Sequence, residues 1–304
     1  MSYSGIGGQA VMEGVMMKNQ DKYAVAVRKP DHEIVVDVQE CHSGKGAEKI
    51  KKIPIVRGVY NFVSSLVLGM KTLMYSASFY EEEIEELEEE ERRKKEKKES
   101  VEMGLTMVVS IVLAVVIFML LPYGASLLFQ KWIKSVTLLA FVEGVIRVAI
   151  FVGYIAVIAC MDDIKRVYMY HGAEHKCINC IEHGKELNVE NVKESSRLHK
   201  RCGTSFLFLV VFISILFFMC IRTDSMMLRF VLRILLVPVI AGVAYEFLRL
   251  AGKSENCVIN FLSKPGLWLQ KLTTREPDEE MIEVAIASVE AVFDWRAYIE
   301  SEKV

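Results

Sequence analysis

The sequence predicts an α-helical polytopic membrane protein with about four transmembrane helices, one amphipathic or re-entrant helix, and a small cytosolic β unit at the N-terminus. Of its 304 residues, 52% are hydrophobic, a share that is high for a soluble domain and indicates membrane spans. Four apolar stretches are each close to the roughly 20 residues that a helix needs to cross a bilayer. Short β-branched runs precede all four of them.

The first predicted unit, residues 1–53, is the β unit. The runs "YAVAVRK" and "EIVVDVQ" are rich in β-branched residues, and the "PDH" between them is typical of a hairpin. The stretch "GGQAVMEGVMMK" at residues 7–18 would add a strand. Its glycine pair does not indicate a phosphate-binding loop, because it has neither G-x-x-x-x-G-K-[ST] nor a following helix to bind an anion. Gly7 and Gly8 therefore predict a turn into a strand.

Residues 54–80 predict a membrane-associated helix. Apolar residues fall on one helical face and polar residues on the other, and Pro54 suits a first helical turn. Such a helix is typical of a segment that lies in the membrane interface or against a bundle, rather than one that crosses lipid alone. The next segment, residues 81–103, has an acidic half followed by a basic half, which predicts a solvated helix or a partly disordered linker.

Transmembrane helices are predicted in two pairs, within residues 104–160 and 204–250. The apolar stretches run roughly over Leu105–Leu121, Val136–Cys160, Ser205–Ile221 and Leu228–Leu250. The second and fourth contain the charged residues Glu143, Arg147, Arg233 and Glu246. Intramembrane charges are costly and usually face a bundle interior or a cavity, so we expect a polar interior in which Glu143 and Arg147, four residues apart, can pair. An ion pair that only holds the helices in register is the simpler interpretation.

Lysine and arginine are concentrated before the first span, in residues 161–203 and in the tail, residues 251–304. Basic residues favour the cytosolic side, so the sequence predicts a multi-pass protein of the bacterial cell membrane with cytosolic N- and C-termini. The tail is predicted to form amphipathic helices. A net charge of −2 gives no basic field for nucleic acid, so the expected partners are the lipid bilayer and other membrane proteins or a membrane client. An odd number of cysteines, seven, favours a reducing compartment.

The chemistry is concentrated in residues 171–202, which hold four of the six histidines and three of the seven cysteines. His171, Glu174 and His175 form an H-x-x-E-H motif, in which two histidines bind zinc and the glutamate acts as base. Residues four apart share a helical face. If this segment is helical, the motif therefore predicts that the rings of His171 and His175 lie on the same face of the helix.

Two metal-binding arrangements are compatible with this segment, which is predicted to be a cytosolic loop. In the first, a structural zinc is held by three cysteines and one histidine, namely Cys177, Cys180, His199 and Cys202. In the second, His171 and His175 bind zinc or another divalent metal together with His199, Cys202 or Cys180, and Glu174 is the catalytic base. A third interpretation is that these residues only pack and hydrogen-bond at the membrane face.

Four stretches resemble the DUF1385 family of YqhQ-like bacterial membrane proteins: "GGQAVMEGVMMK", "YHGAEHKCINC", "HKRCGTSF" and "PGLWLQKLTTREPDEEMIEVAIA". The resemblance implies a metal-dependent enzyme. It also implies a mixed His/Cys site that omits Cys177 and consists of His171, Glu174, His175, Cys180, His199 and Cys202. Glu13, within the first stretch, is expected on the same side of the membrane, as a ligand or as an acceptor for a ring N–H.

Two functions follow from these observations. The first is a metal-dependent hydrolase that cleaves a peptide or lipid-linked bond at the membrane interface. The second is a non-catalytic scaffold, a factor in membrane-protein biogenesis, or a lipid- or client-binding protein, in which any zinc is structural.

Overall fold

The computed structural model describes residues 3–41, 50, 52–80, 89–221, 223, 225–254 and 256–302. The described part has four strands, named β1 to β4: Gly7–Val11, Gly14–Asn19, Lys22–Arg28 and Ile34–Glu40. Its α-helices up to the candidate site are α1 to α5: Val56–Ala77, Glu89–Val115, Leu121–Leu127, Val136–Ile158 and Asp162–Glu182. The remaining helices are α6 to α11: Val189–Glu194, Gly203–Met219, Met226–Lys253, Cys257–Thr273, Glu279–Val292 and Trp295–Glu302.

The four strands form one antiparallel sheet in the order β1-β2-β3-β4. The predicted hairpin of β3 and β4 is thus present. The stretch predicted as one added strand instead forms two, β1 and β2, and Gly7 and Gly8 lie within β1 rather than in a turn before it. Between β1 and β2, Met12 and Glu13 form a two-residue turn, since Val11 pairs with Gly14, and Glu13 has a φ of 47°. Gly14 cannot carry a side chain, because its Cβ would lie 2.2 Å from the carbonyl oxygen of Ala26.

Helices cover both faces of the sheet. Side chains of one face pack on the C-terminal half of α1; they are Val11, Met16, Tyr23, Val25 and Val27. Side chains of the other face join the main core with α5 and α10, where Tyr170, Ile178 and Ile282 are fully buried. Asp278 caps α10 by accepting from the N–H of Met281 at 2.8 Å. The sheet and α10 therefore fix the position of α5.

Three of the described helical segments are long and apolar enough to cross a membrane, namely Gly104–Leu127, Val136–Ile158 and Met227–Gly252. The remaining predicted stretch, Ser205–Ile221, corresponds to α7, which has 17 residues and is a shorter apolar helix. It is central in the bundle, where it packs on α4, α8 and α9. Of the predicted charged linker, residues 81–88 lie outside the described residues; from Glu89 the chain is helical and runs on into the first apolar segment.

Helix α1 turns its polar side inward. Its buried residues are Gly58, Gly69, Thr72 and Ser76, whereas Val63 and Val67 are 51% and 64% exposed. A Cβ on Gly58 would lie 2.9 Å from the Cα of Gly242 in α8. Small residues thus let the two helices approach closely, and the apolar face of α1 points away from the protein.

Of the charged residues in the apolar stretches that were expected to form a polar interior, Glu143, Arg147 and Arg233 form one buried cluster. The carboxylate of Glu143 accepts from Arg147 and, at 2.8 and 2.7 Å, from Arg233. Arg147 also donates to the hydroxyl of Ser214 at 3.0 Å. Glu246, which was expected in the same polar interior, instead pairs with Arg57 of α1.

Candidate metal centre

Helix α5 presents both histidines of the H-x-x-E-H motif on one face. The ring centroids of His171 and His175 lie 4.4 Å apart. His175 is 1% exposed. The helix is continuous from Asp162 to Glu182, so the spacing of four residues brings the two rings together as predicted.

Cys202 completes a set of three donors. It is the N-cap of α7, where its sulfur accepts from the N–H of Thr204 at 3.4 Å. The same sulfur lies 3.2 Å from Nε2 of His171. One donor atom each from His171, His175 and Cys202 lies within 4.8 Å of the others, and this is the one such group of three or more among the described residues.

Backbone carbonyls hold both rings from behind. Nδ1 of His171 lies 2.8 Å from the carbonyl oxygen of Thr273, and Nδ1 of His175 lies 2.6 Å from that of Arg197. A carbonyl can only accept, so each Nδ1 carries the proton and donates. The two Nε2 atoms are thus the ones available to a metal, which would displace any proton on them, and this is how metal-binding histidines are usually oriented.

The thiol of Cys202 and the ring of His171 shift each other's pKa. Burial lowers the pKa of His171, but the neighbouring Cys202 outweighs it and the pKa is raised to about 9. Burial raises the pKa of Cys202, but the two histidines outweigh it and hold the pKa well below its usual range. The lowered pKa of Cys202 favours the thiolate, which is the form that binds metals.

Glu174 lies beside this set and is 5% exposed. Burial raises the pKa of its carboxyl, while the two histidines and the N–H of Gly8, which donates to the carboxylate, act in the opposite direction. Gly8 leaves no room for a side chain, since its Cβ would lie 2.9 Å from Cγ of Glu174 and 2.6 Å from the carbonyl of Met16. Gly8, in the stretch "GGQAVMEGVMMK", thus lets β1 lie directly against the site.

Cys180 and His199, both expected as ligands, are not in the set. The thiol of Cys180 donates to the carbonyl of Glu186 at 3.4 Å, because it lies five residues beyond His175 and so on a different helical face. The ring of His199 is centred 5.8 Å from that of His175, and its Nε2 lies 3.4 Å from Glu182. Cys177 is in the core. The Cys₃His arrangement is therefore wrong for this fold.

Glu13 is not an acceptor for a ring N–H. Its carboxylate binds Arg166 and lies 3.3 Å from the hydroxyl of Tyr170. The ring N–H groups that it was expected to accept from are bound by the carbonyls of Thr273 and Arg197. Glu13 ties the first hairpin turn to α5.

Neither these two carbonyls nor the cavity of about 540 Å³ that opens next to the donors could be predicted from the sequence. Backbone carbonyls leave no trace in residue type, and the cavity lies between elements distant in the chain. For Gly8 a signal was present, since a glycine beside a buried strand indicates a close approach.

Fold and site together define a class: a largely helical protein with membrane-length apolar helices, a small sheet, and a buried His/His/Cys donor set at the end of its short apolar helix. The chain belongs to the DUF1385 family, whose model, described as a protein of unknown function, matches residues 53–295. It is 35% identical over 287 residues to the uncharacterised protein YqhQ of Bacillus subtilis (strain 168). The aligned region covers 93% of this chain and 90% of that protein. No solved structure matches the chain.

Proposed function

We propose that the protein is a metal-dependent hydrolase in the bacterial cell membrane, with its centre at the cytosolic face and its substrate at the membrane interface. The observation that carries the proposal is the set of two imidazole nitrogens and one cysteine sulfur, with Glu174 beside it. Three protein ligands leave a fourth position open, which is typical of catalytic rather than structural zinc sites.

The donor set fits a zinc ion. Zinc prefers nitrogen and sulfur ligands, and both Nε2 atoms and the Cys202 sulfur are held in place by the backbone. A zinc ion held there would supply Lewis-acid activation of water and of a substrate carbonyl.

The residues of the chain then have separate tasks. His171 and His175 keep their orientation because Thr273 and Arg197 accept from their Nδ1 atoms. Glu174 is placed to take the proton of the attacking water and to pass it to the leaving group. The N–H of Gly8 holds the carboxylate on the side of the cavity.

The orientation rests on the distribution of basic residues. The segment around the site contains Lys193, Arg197, Lys200 and Arg201, and such clusters favour the cytosol. In this arrangement α7 also crosses the membrane, in addition to the three longer apolar helices. Its 17 residues extend about 26 Å at 1.5 Å per residue, close to the thickness of a bilayer core.

A second candidate function is a non-catalytic scaffold or biogenesis factor with a structural metal. The outward apolar face of α1 favours it, because side chains such as Val63 and Val67 are exposed and offer a surface to a client helix or to lipid.

Metal content and one conservative substitution separate these functions. The protein is purified in detergent without added metal and its zinc is measured by mass spectrometry. We expect one zinc per chain in the wild type, a loss in His175→Ala and Cys202→Ala, and full retention in Cys180→Ala, a buried cysteine outside the donor set.

Glu174→Gln tests the chemistry. We expect this variant to retain its zinc but to fail to complement a deletion strain. Full complementation would exclude the catalytic base and leave the scaffold function. Absence of zinc from the wild type would exclude the metal centre itself.

A further inference from the structure

The cavity beside the donor set has two unlike ends. At one end lie His171, Glu174, His175 and Cys202. The apolar part of the lining comes mainly from α1, α7 and α8, through Phe62, Leu66, Phe206, Leu207, Tyr245 and Leu248, and Asn61 and Ser65 of α1 add polar groups to it. A few polar and ionisable groups therefore converge at one end of a largely apolar space, the general pattern of a small-molecule site.

The apolar end has a packed floor and an open flank. The rings of Phe62 and Phe206 lie 5.2 Å apart, and Phe206 is buried in a cluster with Ala244. Leu66 and Leu207, in contrast, are 56% and 43% exposed although both line the cavity. The opening is thus bordered by the outward surfaces of α1 and α7, the surfaces that face lipid in the proposed orientation.

The volume selects between two kinds of apolar ligand. A helix 10–12 Å in diameter would fill 540 Å³ within about 5–7 Å of its length, roughly one turn. The cavity is therefore too small for the helix of a client protein. A single hydrocarbon chain needs only a narrow channel of this kind, and its burial between phenylalanine and leucine side chains is favourable.

We propose that this cavity binds one acyl chain of a membrane lipid, whose carbonyl linkage then lies at the His/Cys/Glu end. The assignment rests on the proposed function and names its substrate class, an acyl ester of the bilayer. In the reaction, water adds to the ester carbonyl and the acyl–oxygen bond breaks. Glu174 transfers the proton of the water to the leaving oxygen, and the products are a carboxylic acid and an alcohol.

The binding step is tested with a lysophosphatidylcholine that carries a nitroxide on its acyl chain, added to the purified full-length protein. We expect about one immobilised probe per chain in the electron paramagnetic resonance spectrum. Leu66→Trp and Leu207→Trp, which place an indole in the cavity from two different helices, should weaken binding at least fivefold. Equal binding by both variants would overturn the proposal.

Matched controls lie on the same two helices. Val63 and Leu216 are 51% and 54% exposed and do not line the cavity. Val63→Trp and Leu216→Trp should therefore change binding less than twofold. If all four variants weaken binding alike, the probe is held at the general apolar surface and the proposal fails.

A second measurement needs no variant and so does not depend on folding of a mutant. A lysophosphatidylcholine with a diazirine on its acyl chain is photolysed on the wild-type protein, and the crosslinked residues are mapped by mass spectrometry. Crosslinks to Phe62, Phe206 or Leu248 support the proposal. Crosslinks confined to outward residues such as Val63 and Val67 contradict it.

The outcome is separable from that of the proposed function. Zinc in the protein without cavity-specific probe binding refutes the acyl-chain site and leaves the hydrolase proposal in place. Cavity-specific binding without zinc refutes the metal centre and leaves a lipid-binding protein.

Discussion

Glu182, at the end of α5, joins three separate parts of the chain. Its carboxylate accepts from the N–H and the hydroxyl of Ser4 at 3.0 and 2.7 Å and from Arg201, and it lies 3.4 Å from Nε2 of His199. Burial raises the pKa of Glu182, but His199 and Arg201 outweigh it and hold the pKa at about 2. The ionised carboxylate therefore stabilises the fold.

Replacement of Glu182 by Gln should make the protein less stable in a pH-dependent way. A lowered pKa in the folded state contributes stability above the unfolded value, and this contribution is lost as the pH falls through the folded value. We expect Glu182→Gln to cost roughly 2 kcal/mol at pH 7. The difference should shrink between pH 4.5 and 2.

Thermal unfolding of the detergent-purified variant and wild type at pH 7, 4 and 3 measures this difference. Glu194→Gln is the control, because Glu194 is exposed and pairs only with Lys185 in the described structure. A difference for Glu182→Gln that stays constant over this range would contradict the role of its charge.

For single residues, the sequence was sufficient to predict positions that depend on helical spacing, but few of those that depend on tertiary contacts. His171 and His175 were identified from their spacing, and the rings meet on α5. Cys202 was one of several cysteines near them in sequence, and only the docking of α7 against α5 distinguishes it from Cys180. No local pattern contains that information.

Among the elements, α5 is held by a close backbone contact at Gly172 and by a backbone hydrogen bond at Tyr168. Gly172 faces the segment after α9, where its Cβ would lie 2.0 Å from the carbonyl oxygen of Arg275. The N–H of Arg275 donates to the carbonyl of Tyr168 at 2.8 Å. This contact keeps Thr273, two residues earlier, behind the ring of His171.

Gly172→Ala should therefore damage both stability and the site. The added methyl group must push the backbone at Arg275 away, and overpacking of this kind costs about 1–3 kcal/mol. The carbonyl of Thr273 moves with that segment, so we expect lower zinc occupancy as well as a lower melting temperature.

Gly153→Ala is the matched control for this change. Gly153 is also helical, in α4, and its Cβ would meet nothing within 4 Å. Alanine is favoured over glycine in a helix by up to about 1 kcal/mol, so this variant should be at least as stable as the wild type. Equal behaviour of the two variants would show that the contact at Gly172 is not restrictive.

The sequence identified α1 as an element but not the direction it faces. Periodicity placed a helix at residues 54–80, and α1 occupies Val56–Ala77. An apolar face packs inward in water and can face outward in lipid, so the same pattern is compatible with both. Only the glycine contacts, such as Gly58 against Gly242, reveal that the polar side is the buried one.

For the whole molecule, the cluster of Glu143, Arg147 and Arg233 joins α4, α7 and α8. One carboxylate serves two buried guanidinium groups. Glu143→Gln would leave both without a counter-charge, and breaking a buried pair from one side costs about 3–5 kcal/mol. We expect a large loss of folded yield and of melting temperature.

Glu246→Gln provides the comparison for this prediction. Glu246 pairs with Arg57, and both side chains remain partly exposed, so the loss should be much smaller. Fluorescence-detected size-exclusion chromatography of both variants measures the difference. Similar yields of monodisperse protein would mean that the buried cluster is not essential to helix assembly.

Native cysteines at the two ends of α7 and its neighbours test the proposed orientation of the whole chain. Cys220 follows α7, at the end away from Cys202, and Cys160 and Cys257 lie at the same end of the bundle as the site; all three are exposed. In cells that express variants with only one of these cysteines, a membrane-impermeant maleimide should label Cys220. Cys160 and Cys257 should react only after lysis if that end lies in the cytosol, as the proposed orientation places it. Labelling of Cys257 in intact cells, with Cys220 protected, would show that the orientation is the reverse of the one proposed. Cys202 would then lie on the oxidising side of the membrane, where a free cysteine ligand is hard to maintain.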